Sequence, residues 1–133
     1  MPRFSANLSM LFTEDEFLNR FALARVGGFK AVEFLFPYAF SKQEIKSRLD
    51  TYALQLVLHN LPAGDWDAGE RGIACHPDRV AEFRAGVDKA IEYATFLNVG
   101  QVNCLAGKAP AGVDAKALRD TFVGKDRKST RLN

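Results

Sequence analysis

Cysteine and histidine are scarce in this 133-residue chain, at two each, and tryptophan occurs once. Cys75 and Cys104 stand far apart with no C-x-x-C or mixed Cys/His spacing around them. That excludes a disulfide framework and a structural zinc module. No run approaches the ~18 consecutive apolar residues of a membrane-spanning helix. The N-terminal FSANLSMLF, broken by polar residues and followed by TEDE, lacks the layout of a secretory leader. A reducing, cytoplasmic setting is therefore the expectation. An excess of one charge is also missing: the net charge is +2, but Lys125, Arg127, Lys128 and Arg131 stand against Asp126 alone beyond Gly124. Setting those five residues aside leaves 14 basic and 15 acidic side chains, net −1. A nucleic-acid binder needs cations clustered on a face of its fold, and the body of this chain offers none.

The chain does have ordinary globular material, 47% hydrophobic and 26% charged, enough for one core. Apolar β-rich runs alternate with helical patterns. Phe4 to Leu11 reads as a strand and turn. Thr13-Glu14-Asp15-Glu16 has the T-x-x-E spacing of a capping box, which predicts a helix from there until Gly27-Gly28. FKAVEFLF, Phe29 to Phe36, reads as a second strand, ended by Pro37. Ser41-Lys42-Gln43-Glu44 is a second capping box, opening a helix with Ile45 and Leu49 on its buried side. Leu54 to His59 reads as strand three. A long helix from Pro77-Asp78 carries Phe83, Val87, Ala90, Ile91, Ala94 and Leu97 on one stripe, with Gly100 as its stop. Strand four is VNCL, Val102 to Leu105, and Asp114 begins a last helix with Leu118 and Phe122. The pattern is βαβαβαβα with a period of about 25 residues, which implies a parallel sheet covered by helices. An open doubly wound sheet and half of a (β/α)8 barrel share that pattern.

In both architectures chemistry sits at the carboxyl ends of the strands. The polar residues there are Asn7, Glu33, His59 with Asn60, and Asn103 with Cys104. The stretch Leu61 to Pro77 then runs about seventeen residues without an apolar period, and loops of that length are usually functional or disordered. Gly64 and Gly69 have Walker A glycine spacing, but Glu70-Arg71 stands where Lys-Ser/Thr is needed, and no G-x-G-x-x-G follows the first strand. His59, Cys75 and His76 make a poor zinc set because adjacent side chains do not easily turn to one ion. Neither cysteine neighbours an evident base. What remains fits a lid, with Trp66 as an apolar cover and Arg71 as a planar fork for a carboxylate. The alternative is a packed Trp66 and a surface ion pair at Arg71.

RFSANLSMLF, GGFKAVEFLFPY, LHNLPAGDWDAGERGIAC and VNCLAGKAPAG, in that order and separation, resemble the N-terminal half of the bacterial hydroxypyruvate isomerases, xylose isomerase-like TIM barrels. The similarity runs from about Arg3 to Val123. It implies an α/β fold made of about four βα units of a (β/α)8 barrel with parallel strands over residues 1–123. It also implies an isomerase interconverting hydroxypyruvate and 2-hydroxy-3-oxopropanoate (tartronate semialdehyde) through an enediol. The family's acid–base glutamates match nothing before Asn133, so no catalytic residue is expected here and the chain alone is expected to be inactive. The expected substrate contacts are His59, Arg71 and Trp66, with Asn7, Glu33 and Asn103 as weaker candidates. The cofactor stays open, with a divalent metal an option in a full-length protein. The expected partner is a small keto acid, with no nucleic acid and no membrane; open sheet edges also suggest self-association. Residues 124–133, GKDRKSTRLN, depart from the family pattern as a basic, non-native-looking tail. The rival readings are a related barrel sugar epimerase or metal-dependent endonuclease, and a small non-enzymatic α/β binding module.

Overall fold

The computed structural model describes residues 2 to 129. Four strands, β1 (Ser5–Asn7), β2 (Ala31–Glu33), β3 (Gln55–Asn60) and β4 (Val102–Asn103), form one sheet in the order β1-β2-β3-β4. Every pairing is parallel. Parallel strands adjacent in chain order are the arrangement of a (β/α)8 barrel, and this order shows none of the reversal that marks the switch point of a doubly wound sheet. The helices are α1 (Arg20–Val26), α2 (Lys42–Thr51), α3 (Val80–Leu97) and α4 (Ala115–Ser129). By internal contacts the chain divides into two compact units, residues 1–60 with 91–103, and residues 61–90 with 104–133.

The first unit holds the sheet. Ala6, Val32 and Leu56 of the strands, with Leu8 and Phe34 just past the ends of β1 and β2, pack on Phe21 and Ala24 of α1, Ile45 and Leu49 of α2, and Tyr93 and Leu97 of α3. Phe17 stacks on Phe40 and meets Phe21 and Phe34 edge-on, with centroids 4.9 to 5.5 Å apart. Phe21 and Phe34, the two of these that are buried, each contribute roughly 1.5–3 kcal/mol. The capping box at Ser41 forms as its sequence dictates: the Ser41 hydroxyl accepts from Glu44 N–H, and the Glu44 carboxylate accepts from Ser41 N–H.

Three local expectations are corrected. Thr13 to Glu16 does not cap α1. Phe12 takes φ +61°, Asp15 N–H turns back to the Phe12 carbonyl, and a 3-10 turn over Phe17–Asn19 precedes the helix. The Arg20 side chain donates to the carbonyls of Leu8 and Asp15, so a long cation ties the turn down where a threonine cap was expected. Gly100 does not end α3; Asn98 enters the left-handed region at φ +56° and Val99 N–H reaches back to the Ala94 carbonyl at 2.8 Å. Ile91 is 45% exposed, and Tyr93 takes the buried place beside Ala94 and Leu97.

The second unit has its own small core of Ile73, Ala74 and Phe83, packed with Leu61, Val87 and Phe122. Gly72 bridges Ala106 antiparallel, and Cys75 N–H donates to the Ala106 carbonyl at 2.8 Å. The stretch Leu61 to Pro77 is therefore no structureless loop, because Ile73 to Cys75 supply a short apolar run that is buried. Gly72, at φ +110°, lies so close to residue 105 that a Cβ on it would sit 2.2 Å from the Leu105 carbonyl oxygen. Gly72→Ala should destabilise the chain by more than ~1 kcal/mol in chemical denaturation. Gly124 in α4 has open space around it, and Gly124→Ala should instead stabilise by about 0.5–1 kcal/mol. Equal effects from the two would show that backbone approach at Gly72 is not what selects glycine.

Candidate functional site

Strand register decides which side chains share a face at the carboxyl ends. Asn7 pairs with Glu33. Between β2 and β3 the pairing runs Val32 with Leu56 and then Glu33 with Leu58, a one-residue irregularity that leaves Val57 as the extra residue. Side chains alternate along a strand, so this insertion exchanges the two faces beyond it. Leu58 and Asn60 thereby share the face of Glu33, and Asn60 pairs with Asn103 of β4. The Asn7 amide donates to Glu33 Oε1 at 3.1 Å, while Asn7 Oδ1 accepts from Ser9 N–H at 3.0 Å, which fixes the orientation of the amide. The Asn103 amide donates to Asn60 Oδ1 at 3.1 Å. Four polar side chains from four strands thus stand on one face as two hydrogen-bonded pairs.

The same irregularity turns His59 to the other face. Its ring is fully buried and meets Tyr38 edge-on, and Tyr38 meets Tyr93. His59 Nδ1 lies 3.2 Å from the Asn60 carbonyl oxygen and 3.4 Å from the Tyr38 hydroxyl, which itself donates to the Asn60 carbonyl at 2.5 Å. Nε2 is buried without a hydrogen-bond partner among the described residues. Burial holds the His59 pKa below its ordinary value, and the Asn60 carbonyl only partly opposes this. Burial likewise pushes the Tyr38 phenol up, reinforced by Tyr93.

Trp66 and Arg71 lie together in the second unit, the guanidinium 4.0 Å above the indole ring. Arg71 Nη1 donates to the carbonyls of Trp66 and Glu70, and the residue is exposed. Glu70 holds the segment: its carboxylate accepts from Asp65 N–H and from both ends of the Arg79 fork, which also binds Glu82. Those bonds, Arg79 first, keep the Glu70 carboxyl below its usual range. Lys108 donates to the Gly69 carbonyl at 2.7 Å. Lys125, on α4, is buried, donates to the carbonyls of Ile73 and His76, and sits 4.9 Å above the Phe83 ring. Burial lowers its pKa. By sequence Lys125 belongs to the basic tail over 124–133, of which residues 130–133 lie outside the described residues.

The six nominated residues therefore resolve into two contacting pairs and two others. Asn7 meets Glu33 and Trp66 meets Arg71; Asn103 meets Asn60, and His59 stands behind the sheet. Tyr38 is the candidate that the sequence does not mark. Asn60, read together with His59 at the strand end, stands on the face of Glu33, and the irregularity at Val57 is what separates it from His59. Among the described residues no three His, Cys, Asp or Glu side chains gather closely enough to hold a metal ion. The divalent metal allowed by the resemblance thus has no ligand set among the described residues, and His59, Cys75 and His76 do not make one. No helix among the described residues is long and apolar enough to cross a membrane.

A family model for xylose isomerase-like TIM barrels matches residues 21–127. The chain belongs to that family. Hydroxypyruvate isomerase of Escherichia coli (strain K12) is 55% identical over 123 residues, 92% of this chain and 48% of that protein. The 2-oxo-tetronate isomerase of Cupriavidus necator is 47% identical over 123 residues, again 92% of this chain and 47% of the relative. A crystal structure described as an AP endonuclease, family 2, from Brucella melitensis superposes with TM-score 0.92 at 46% identity, covering 97% of this chain and 50% of that one. The chain spans about half the length of the curated relatives it matches.

Because His59 is held neutral, with its folded-state pKa depressed, the unfolded chain takes up a proton more readily. The stability contributed at this position is present above the ordinary value of 6.5 and is lost as pH falls through the lower folded-state value. Thermal denaturation followed from neutral pH to about pH 5 should show a fall that is smaller in His59→Asn; parallel curves would remove the assignment. For Glu70, Glu70→Ala should speed hydrogen exchange at Asp65 and Gly69 while leaving β3 unchanged, since the bonds it makes lie in that segment.

Proposed function

We propose that this chain shapes the substrate pocket of an isomerase that interconverts hydroxypyruvate and 2-hydroxy-3-oxopropanoate. The observation that carries the reading is the row of paired side chains, Asn7 with Glu33 and Asn60 with Asn103, on one face at the strand carboxyl ends. Isomer-directed names among the similar proteins support it.

The reaction removes a proton from C3 of the ketone and forms an enediolate across C2 and C3. The proton returns at C2 as the C3 oxygen becomes the aldehyde. Such chemistry needs a base to carry the proton and fixed donors at the oxygen where charge develops. The amides of Asn7, Asn60 and Asn103 supply neutral donors and acceptors suited to a hydroxyl beside a carbonyl. Glu33 repels a carboxylate and so directs that end of the substrate away from the Asn7–Glu33 pair; a carboxylate is the expected ligand of Arg71, whose planar fork suits one. Trp66 stiffens Arg71 by stacking beneath it. His59 acts through Asn60 and does not touch substrate. The acid–base glutamates expected from the resemblance are not among these rim residues, so the polypeptide alone binds the keto acid without turning it over.

The 2-oxo-tetronate isomerase names favour a second substrate of the same class with one more carbon, which would use the same rim and the same carboxylate grip. The endonuclease activity in the description of the Brucella melitensis structure would need clustered cations, which residues before Gly124, of net charge −1, do not favour.

In a protein containing this segment and active on hydroxypyruvate, Arg71→Ala should raise KM about tenfold or more with kcat nearly unchanged, the loss of one charge-assisted contact made equally before and during reaction. An unchanged KM would remove Arg71 from the site. For the chain alone, titration with hydroxypyruvate should shift the side-chain amide signals of Asn60 and Asn103 while product stays absent; turnover by this chain at the pace of an intact isomerase would overturn the assignment of the acid–base groups.

A further inference from the structure

Two side chains converge on one carbonyl. The Tyr38 hydroxyl reaches the Asn60 carbonyl at 2.5 Å, and His59 Nδ1 stands 3.2 Å from the same oxygen. A phenol has one proton, and the short bond commits it to Asn60, so at 3.4 Å the Tyr38 oxygen faces His59 as an acceptor. Every atom near Nδ1 is then an acceptor. A lone pair on Nδ1 would oppose a carbonyl lone pair, and the proton on Nε2 would be a buried donor without a partner among the described residues. With the proton on Nδ1, both problems disappear and only one weakly demanding acceptor is left unmatched. An imidazolium would restore the orphaned donor and add a buried charge. Among the described residues, the titratable groups facing the ring are Tyr38 and, beyond it, Tyr93, and no carboxylate contributes to holding a cation there.

We propose that Tyr38 and His59 are positioning residues. They form a neutral clamp in which the Nδ1-protonated histidine and the tyrosine hydroxyl together fix the Asn60 carbonyl and so aim the Asn60 side chain at Asn103. The clamp grips the residue where β3 ends, from the face opposite the rim, so the aromatic core behind the sheet sets the geometry in front of it. The functional side of this inference rests on the proposed keto-acid site; the clamp itself does not.

The test uses the whole chain, uniformly labelled with nitrogen-15. Long-range proton–nitrogen correlation should give His59 a pyrrole-type Nδ1 and a pyridine-type Nε2. Tyr38→Phe, which deletes one donor and keeps the ring, should shift and speed solvent exchange of the Asn60 side-chain amide while the α2 and β1 amides stay in place. His59→Asn keeps a donor near the Nδ1 position and should retain the Asn60 signal, whereas His59→Leu should lose it, a contrast that a packing role would not produce. A protonated Nε2, or an Asn60 amide indifferent to Tyr38→Phe with the fold intact, overturns the clamp; so does equal loss in His59→Asn and His59→Leu. Hydroxypyruvate added to the same labelled chain tests the other reading separately: clamp signatures present with no ligand-induced shift at Asn60 leave the clamp standing and remove the keto-acid site.

Discussion

The register of β3 against β2 is the constraint on which the candidate site depends. A parallel strand alternates its side chains strictly, so Gln55 to Asn60 in perfect register would place Val57 beside Glu33, put His59 on that same face and turn Asn60 to the other. One extra residue at Val57 reverses this beyond Leu56. The reversal costs one disturbed rung and yields two results together. An amide joins the polar row with Asn103, and an imidazole enters an aromatic environment where a tyrosine hydroxyl and a carbonyl meet it. The polar face and the aromatic support behind it are consequences of the same insertion.

Much of the architecture was legible because it rests on periodicity. The alternation of apolar runs and helical stripes gives four parallel βα units, and Ile45, Leu49, Phe83, Ala90, Ala94 and Leu97 fall inside as their spacing requires. The Ser41 box forms because both of its reciprocal bonds are local to four residues. The misreadings occur where a distant partner overrides a local signal. Thr13 to Glu16 has the letters of a cap, but Arg20 satisfies the Leu8 and Asp15 carbonyls and holds a turn instead. Asn98 replaces Gly100 as the stop of α3 because asparagine tolerates the left-handed region, and the helix ends where its apolar stripe ends. The separation of Asn60 from His59 was hidden for a stricter reason: an insertion in a strand of Leu, Val and Leu has no compositional mark, so which of the two faces the rim could not be read from the letters.

The Leu61 to Pro77 stretch shows why lack of periodicity is a weak sign of mobility. A segment without a ladder must satisfy its backbone carbonyls by other means, and here long cations do so: Arg71 for Trp66 and Glu70, Lys108 for Gly69, Lys125 for Ile73 and His76. Glu70 adds the reverse contact by accepting from Asp65 N–H, and Arg79 holds Glu70 in place. Ile73 and Ala74 then bury the middle of the stretch. Of the two glycines with phosphate-loop spacing, Gly64 serves close approach, since a Cβ there would strike the Glu70 carboxylate; outside that spacing, a Cβ at Gly72 would strike the Leu105 carbonyl. Several of the positive charges in this half of the chain are thus structural donors.

A rim built from amides and one carboxylate has a chemical consequence of its own. Amides neither gain nor lose a proton near neutral pH, so a row of Asn7, Asn60 and Asn103 presents the same donors and acceptors whatever the charge of the bound keto acid or its enediolate. Their worth lies in being fixed beforehand: a donor already aimed need not reorganise as charge moves onto an oxygen. An unconstrained asparagine loses that advantage because its amide turns about two torsions. Asn7 is pinned through Oδ1 by a backbone N–H, and Asn60 through Oδ1 by Asn103 and at its own carbonyl by two further donors. A histidine that titrated beside that carbonyl would move the rim each time it changed charge. Burying it as a neutral donor behind the strand removes that dependence, which is the physical reason an imidazole at the root of a polar site serves better here as a fixed support than as an acid or base.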